Sequence, residues 1–400
     1  MQTIRIIDRL PVPALLLALS GAVMAAEPAP GVPTAPSPLD HALRTFTWGA
    51  YGEAHYTNNM GGGRDDQLDL HRFVLLGESH LTDRWRIATE IEIEHVFVRG
   101  GTSGATDQTA KGYLALEQGY LAGRFADHHE AKIGVMLVPI SITNLYHEPT
   151  LFHGVERPFF DSRIVPSTWY DVGVGVGGRV VEGLTYEAAV QAGLNGNLMK
   201  GSNGFREGRQ KGAESSAEDL MGTARLDWKP GHGLWLALAA NYGGVDQMNS
   251  LEAELAPAGK KDDVTARLLV AEARWADYGW ETGLSVAEGR ISDPNALTTT
   301  EVLPEVFRGL SAFVAYDILR PLALDAPDQF FLFTRYEKID NHQRVGQGKA
   351  VKDANNMDVQ QVGVTWRPNT WVVVKGDYQK VVQDDGERKD ALNLGAGFAF

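Results

Sequence analysis

The chain of 400 residues contains no cysteine. Disulfide bonds, zinc–thiolate sites, thiol nucleophiles and a lipid anchor on an N-terminal cysteine are therefore excluded. Basic residues are scarce as well, because 37 lysines and arginines stand against 51 aspartates and glutamates and give a net charge of −14. This balance disfavours a nucleic-acid-binding protein held by phosphate contacts. With 44% apolar and 22% charged residues, wholesale disorder is not expected either.

Long apolar runs are also missing, and no stretch of about 18 apolar residues predicts a membrane-spanning helix. At the N-terminus, two arginines precede a short apolar stretch that ends in small residues at Ala25 and Ala26. This pattern predicts a secretory signal peptide over residues 1–26, cleaved after one of these two alanines. Residues 27–44 contain five prolines and predict a flexible Pro-rich segment.

From residue 45 onward, apolar and polar residues alternate with a period of two. In residues 85–98, Ile87, Ile91 and Ile93 share one face, while Arg86 and the glutamates lie on the other. Such alternation is typical of strands with one apolar and one polar face. The segments exceed the 5–6 residues typical of soluble sheets and match the roughly 9–11 residues that a tilted strand needs to cross a membrane.

Sixteen such segments are predicted. Their spans are 45–57, 68–81, 85–98, 112–125, 131–143, 169–181, 184–195, 219–229, 234–244, 264–276, 280–290, 306–319, 330–341, 357–367, 371–383 and 391–400. Short and long gaps alternate between them, with 320–329 as a longer exception on the short side. An antiparallel meander closed into a membrane barrel has this pattern. We therefore predict an all-β fold, a 16-stranded antiparallel transmembrane β-barrel over residues 45–400. The short turns and both chain termini of the barrel are expected on the periplasmic side of the outer membrane.

The tryptophans support this orientation. Eight of the nine lie near a predicted short turn or at the same end of the first strand: Trp48, Trp85, Trp228, Trp235, Trp275, Trp280, Trp366 and Trp371. Aromatic rings favour the headgroup level of a membrane, so we predict one interfacial girdle at the turn side. Only Trp169 belongs to the loop side.

Three stretches carry a resemblance to a known family. They are Leu70–Gly77 with Trp85–Glu94, then Leu116–Leu121 with Ile133–Pro139, and finally Glu156-Arg157 with Trp169–Val174. In this order they resemble the phosphate-selective porin family, the O and P type porins of Gram-negative outer membranes, over roughly residues 45–200. The resemblance implies a sixteen-stranded barrel, a homotrimer and a loop folded into the pore. Phe400, an aromatic residue at the end of an alternating strand, resembles the recognition signal of outer-membrane barrels.

Twelve acidic and eight basic residues are predicted to face the lumen. They are Glu53, Arg72, Arg86, Glu90, Glu92, Glu94, Glu117, Asp171, Arg179, Glu187, Arg225, Asp227, Glu272, Arg274, Glu281, Arg335, Glu337, Arg367, Lys375 and Asp377. Rings of charge in a water-filled barrel bias which ions enter, so the acidic excess predicts a weak cation preference. Two basic positions of the family are absent: Gly134–Leu137 lacks its lysine, and Tyr170 replaces its arginine. An anion- or phosphate-selective channel, as in the family, stays the alternative.

The long segment 144–168 is predicted to fold into the lumen as a constriction loop. Its charged candidates are Glu148, Glu156, Arg157, Asp161 and Arg163, with phenylalanines between them. Rings that pack on the wall would leave these charges at the narrowest point.

No motif for a metal, a cofactor or a catalytic nucleophile is recognised. The expected partners are membrane lipids and lipopolysaccharide, further copies of the chain in a homotrimer, and small hydrophilic solutes or ions, but no nucleic acid. The sequence thus favours a passive diffusion porin. A non-conducting adhesive barrel and a barrel hydrolase are less favoured alternatives.

Overall fold

The computed structural model describes residues 46–60, 66–95, 112–245, 264–297, 299–322 and 328–400. The predicted signal peptide, 1–26, and the Pro-rich segment, 27–44, lie outside the described residues. Among the described residues, no helix has the length and apolar character needed to cross a bilayer.

Sixteen strands form one closed antiparallel barrel in which each strand pairs with its sequence neighbours and the last pairs with the first. Their bounds are β1 Phe46–Met60, β2 Gln67–His80, β3 Trp85–Glu94, β4 Tyr113–Ala126, β5 His129–Leu137, β6 Tyr170–Val181, β7 Leu184–Ala192, β8 Leu220–Gly231, β9 Leu234–Gly244, β10 Thr265–Asp277, β11 Trp280–Ile291, β12 Pro304–Asp317, β13 Gln329–Val345, β14 Asn356–Arg367, β15 Val372–Gln383 and β16 Arg388–Ala399. The predicted 16-stranded barrel is confirmed. Closure leaves no strand edge unpaired, as a sheet surrounded by lipid requires.

Closure is made by β1 and β16, whose register pairs Tyr51 with Ala399 and Met60 with Asp390. Beyond the strand, Phe400 and Ala50 exchange backbone hydrogen bonds of 2.9 and 3.0 Å. The ring of Phe400 meets Trp48 edge-on at 5.4 Å between ring centres.

Tight turns join most strands at the barrel end that we call the turn side, and residues 318–328 between β12 and β13 form its one longer connection. Between β8 and β9 the turn residues His232 and Gly233 both have positive φ, 51° and 70°. This is the pattern of a type I′ hairpin turn, which matches the twist of the flanking strands. At Gly233 a Cβ atom would lie 2.0 Å from the carbonyl oxygen of Ala276, so no other residue fits there. The opposite end, the loop side, carries long connections, except for the short one after β15.

Most predicted strand bounds are correct to within about three residues, but three are wrong. The third strand is predicted to run to residue 98, whereas β3 ends at Glu94, and residues 96–98 lie outside the described residues. The fifth strand was predicted to run to residue 143, whereas β5 ends at Leu137 and residues Ile142–Leu145 form a short helix, α1. The apolar residues Val138 and Ile140 continue the period of two beyond Leu137, but both are buried inside the barrel. Strand β13 extends to Val345, four residues further than predicted.

The outer face of the barrel is apolar, as alternation requires. Side chains such as Leu238, Leu269 and Val362 are about half exposed on it, and no layer of described residues covers them. Six tryptophans are exposed: Trp48, Trp85, Trp228, Trp280, Trp366 and Trp371. The girdle prediction is wrong for Trp235. Its Nε1–H donates to Asp227 at 2.6 Å and its ring contacts Tyr146 of the long segment after β5, so it points inward.

Candidate functional site: the barrel interior and its inward loop

Residues 138–169, which connect β5 to β6, fold into the barrel, and we call them the inward loop. Three wall carboxylates accept hydrogen bonds from its backbone amides. Glu272 accepts from Ile142 at 2.7 Å. Asp377 accepts from Val155 at 2.7 Å. Glu337 accepts from Phe160 at 2.9 Å and from the preceding amide. Hydrogen bonds to ionised acceptors are the stronger ones, so these wall charges position the loop and are not free in the lumen.

Asn144 ties the two ends of the inward loop together. It is fully buried in α1, where Ser141 caps the helix by accepting from its backbone N–H at 3.0 Å. Its side-chain amide donates to the carbonyl oxygens of Val138 and Trp169 at 2.7 and 3.0 Å. Its side-chain oxygen accepts from the Trp169 N–H at 2.7 Å. One side chain therefore joins the entry of the loop to its exit.

A second loop-side segment, residues 193–219, covers the exit of the inward loop. Arg209 donates to the carbonyl oxygens of Ser167 and Thr168 at 2.7 and 2.9 Å. Asp171, predicted to line the lumen, instead accepts from Ser215 at 2.6 Å and from the backbone amides of Lys211 and Gly212. Asp171 is thus a loop anchor.

On the wall formed by β1 to β4, predicted lumen residues come together in one buried chain of charges. Arg72 contacts Glu53 at 2.6 Å and Glu92 at 3.8 Å. Glu53 also lies 3.1 Å from His55. Arg72 of β2 therefore contacts a glutamate on each neighbouring strand, Glu53 of β1 and Glu92 of β3. Glu94, at the end of β3, continues the row of glutamates on that strand.

Glu117 reaches this cluster because of a β-bulge. Glu90 pairs with Gln118 and Ile91 pairs with Leu116, so that Glu117 has no partner in the register. A bulge re-aims the extra side chain, and here Glu117 and Gln118 both point inward. Gln118 donates to Glu90 at 2.5 Å.

His147 of the inward loop lies against the same wall. Its Nε2 is 3.5 Å from Glu90 and 3.4 Å from Glu117. Burial opposes the charged form of the ring, but the two carboxylates outweigh burial and raise the pKa of His147 above its ordinary value.

The wall formed by β11 to β15 holds the middle of the inward loop. Arg335 donates to the carbonyl oxygen of His153 at 2.7 Å and to Gln361 at 2.7 Å. Glu281 lies 2.9 Å from His153 Nε2 and 2.7 Å from Arg367. Burial among phenylalanine rings lowers the pKa of His153 to about 4, so the ring is neutral at pH 7.

Two further basic residues of this region sit on aromatic rings of the interior. Lys375 Nζ lies 3.6 Å from the centre of the Phe152 ring, and Arg274 lies 5.0 Å from that of Phe313. The nitrogen of Lys375 makes no hydrogen bond, and neither does Nε of Arg335. Cation–π contacts satisfy such cations only in part. These two buried nitrogens of the wall are therefore only partly satisfied by their surroundings.

The remaining predicted wall residues form pairs. Arg225 binds Asp227 through two hydrogen bonds of 2.7 and 2.8 Å. Arg86 contacts Glu130 at 2.7 Å. Arg179 lies at the turn side beside Glu182, at 3.3 Å. The bidentate pair of Arg225 and Asp227 fixes both side chains, so neither charge is left unpaired toward the lumen.

Water-accessible space lies between the inward loop and β4 to β7. A polar cavity of about 240 Å³ is lined there by residues that include Tyr120, Lys132, Tyr146 and Glu187. The Glu187 side chain is 37% exposed, and Lys132 lies 3.6 Å from it. Glu187 therefore meets solvent within the barrel.

The five charged candidates of the inward loop differ in their surroundings. Glu156 is 43% exposed and contacts His55 at 2.8 Å. Partial removal of this half-exposed carboxyl from water opposes its ionisation, but the hydrogen bond with His55 outweighs that effect and lowers the pKa of Glu156 to about 2. Arg157 donates to Ser167 at 3.3 Å, and Arg163 donates to Asn203 and to a neighbouring carbonyl.

Asp161 and Glu148 are the two less charged members of that set. Burial, helped by the charge of Glu272, raises the pKa of Asp161 to about 7. Burial also raises the pKa of Glu148. Asp161 is thus partly uncharged near neutral pH, unlike Glu156.

Sequence reasoning missed a histidine cluster at the loop-side ends of β1, β2 and β3. His55 stacks on His71 with 4.7 Å between ring centres, and His71 meets His95 edge-on at 5.4 Å. Asp69 accepts from His95 at 2.6 Å. The three histidines come from different strands, and only the strand register brings them together.

The chain was compared with known proteins. No family model matches it. An uncharacterized protein of Aquifex aeolicus (strain VF5) is 28% identical over 377 residues, which span 91% of this chain and 81% of the relative.

Several solved outer-membrane barrels have a similar fold. Salmonella typhi OmpF, in complex with daunomycin, gives a TM-score of 0.57 at 12% identity over 89% of this chain and 97% of that one. Pseudomonas putida OprB at high pH gives 0.55 at 11% identity over 89% and 94%. An anion-selective porin from Comamonas acidovorans gives 0.52 at 11% identity over 89% and 99%. At these identities the likeness shows a shared barrel fold.

Proposed function

We propose that the protein is an outer-membrane porin that lets ions and small hydrophilic solutes diffuse passively through a water-filled, mildly acidic lumen. The observation that carries the proposal is a closed barrel whose outer face is apolar and whose inner face is charged. An apolar outer face suits lipid tails, whereas charged inner residues need water or one another. The fold that the chain shares with solved porins supports the same function.

The inward loop is proposed to act as the constriction, and its exposed charges to set ion selectivity. Glu156 in the loop and Glu187 on the wall are the acidic side chains best placed to meet passing ions, since both are substantially exposed. Many other wall charges are paired or hold the loop, so their influence on ions is reduced. We therefore expect a weak preference for cations.

Liposome swelling tests permeation. Vesicles that contain the refolded barrel should swell in solutions of small sugars and swell more slowly as the sugar grows. Reversal potentials in a potassium chloride gradient then test selectivity, and potassium should be favoured. Vesicles that do not swell with any small solute would contradict the porin function.

An anion- or phosphate-selective channel is the second candidate, and a specific observation favours it. Arg335 of β13 and Lys375 of β15, on the wall formed by β11 to β15, each retain a nitrogen without a hydrogen bond to any described residue. Such nitrogens could attract anions that pass the loop. A reversal potential of the chloride-selective sign, abolished in Lys375→Gln, would support this candidate over cation preference.

We also propose that three copies associate in the outer membrane, with lipids and lipopolysaccharide around them. A groove of about 840 Å³ on the outer face between β3 and β9 is lined by small residues that include Ala188, Gly222 and Ala224. Small residues allow close approach between surfaces in lipid. Native gel mobility before and after heating tests association, and Ala188→Trp should weaken it. Ester or peptide turnover by the purified barrel would instead support a hydrolase.

A further inference from the structure

We infer that Glu90, Glu117 and His147 form a buried binding site for a divalent transition-metal ion, with Zn²⁺ as the best-suited ion, and that this ion fastens the inward loop to the barrel wall. The site lies between β3, β4 and the loop. Its role is structural and does not depend on which solutes the barrel passes.

The distances fit a metal ion better than a hydrogen-bonded cluster. His147 Nε2 lies 3.5 Å from Glu90 Oε1 and 3.4 Å from Glu117 Oε2. Two ligands placed tetrahedrally at about 2.1 Å from zinc are separated by about 3.4 Å. The third pair of ligand atoms lies within 4.8 Å, so a small side-chain movement completes the set.

No described residue donates a hydrogen bond to Glu117. Its side chain is 0% exposed, and neither of its oxygens makes a hydrogen bond; Nε2 of His147 makes none either. A buried, unpaired carboxylate is costly, and the β-bulge at Glu117 aims it at the other two ligands. A proton on Nε2 would reach both carboxylates only at the outer limit of hydrogen-bond distance.

The surroundings orient the ligands as in known metal sites. Nδ1–H of His147 donates to the carbonyl oxygen of Asn144 at 3.2 Å, which leaves the Nε2 lone pair for a metal. Tyr51 donates to Glu90 at 3.0 Å, and Gln118 donates to its other oxygen. Metal-bound histidines and carboxylates are held in this way by outer hydrogen bonds.

Charge also favours a cation. Two carboxylates meet one histidine in this site, and the nearby Arg72 is engaged by Glu53 and Glu92. A metal ion that binds Nε2 displaces the proton of the imidazole, and the divalent ion and the two carboxylates then sum to zero. The cluster of His55, His71 and His95 differs, because Glu156 already hydrogen-bonds the ring of His55 and Asp69 that of His95.

The test is zinc stoichiometry in detergent-refolded barrels stripped with chelator. The background variant His71→Gln removes the residue common to the two histidine groups at the loop-side ends. It should bind one zinc ion per chain. Adding His147→Gln or Glu117→Gln should weaken binding by at least about 100-fold, the upper end of the loss seen for outer-shell partners. His153→Gln, a buried histidine of the same loop, is the matched control and should keep the ion.

Each variant is scored after heat-dependent gel migration shows that it is folded, and Glu117→Gln decides if His147→Gln does not fold. Cobalt should give the visible absorption of a nitrogen- and oxygen-ligated site in the background variant, and that signal should vanish with either ligand variant. Zinc bound equally well by the folded ligand variants, or no zinc bound by the folded background variant at millimolar concentration, would overturn the inference.

Discussion

Asn144→Ala should loosen the inward loop without opening the barrel wall. The substitution removes three hydrogen bonds, two from the side-chain amide to Val138 and Trp169 and one from the Trp169 N–H to the side-chain oxygen. Buried hydrogen bonds contribute about 0.5–1.5 kcal/mol each, so the docked loop should lose about 2–4 kcal/mol. Because each 1.4 kcal/mol or so changes an equilibrium constant tenfold, the fraction of chains with an undocked inward loop should rise about 30- to 1000-fold.

Hydrogen exchange at the backbone amides of residues 142–145 measures this opening directly, and single-channel current noise reports it a second way. Asn241→Ala is the matched control, because Asn241 is a buried amide on β9 whose side chain donates to Thr223 and not to the loop. Asn144→Asp keeps the acceptor for Trp169 and should fall between. Exchange at 142–145 no faster in Asn144→Ala than in the control would refute the role of Asn144.

Three further predictions concern single residues. Asp161→Asn should stabilise the protein at about pH 8 by up to about 4 kcal/mol and leave it unchanged at about pH 4. The reason is that a carboxyl with its pKa raised to about 7 by burial destabilises the fold once it ionises. Chemical denaturation at the two pH values checks this, and equal stability of variant and parent at the higher pH would contradict it. Glu156→Gln should lower the potassium-to-chloride permeability ratio, since the Glu156 side chain is 43% exposed and ionised. The control Glu301→Gln, at an exposed loop position, should leave the ratio unchanged. A reversal potential that does not change in Glu156→Gln would show that Glu156 does not set ion selectivity. Brominated lipids should quench less fluorescence in Trp228→Phe than in the parent, because Trp228 faces outward. They should quench the same amount of fluorescence in Trp235→Phe as in the parent, because Trp235 donates to Asp227 in the interior.

Period-two alternation was enough to predict the strands, because each wall strand has lipid-like and aqueous surroundings on its two faces. It failed where the surroundings change along the chain. Val138 to Ile140 alternate as a strand does, yet they lie inside the barrel as the inward loop begins. Trp235 resembles a girdle residue in sequence, but its parity in β9 places it opposite Arg274 on the inner face.

The charged interior was harder to predict, because pairing depends on register and on the path of the loop. Alternation suggested the inward direction of Arg72, but its contact with Glu53 follows from the register of β1 with β2. The use of Glu272, Glu337 and Asp377 to hold backbone amides of the loop has no local sequence signal. The bulge at Glu117 likewise appears only in the pairing of β3 with β4.

Conductance of the purified barrel in planar lipid bilayers tests the central claim most directly. A water-filled lumen should give discrete current steps that grow in proportion to the conductivity of the bathing salt. A correctly folded barrel that inserts into the bilayer and carries no current at any salt concentration would contradict it.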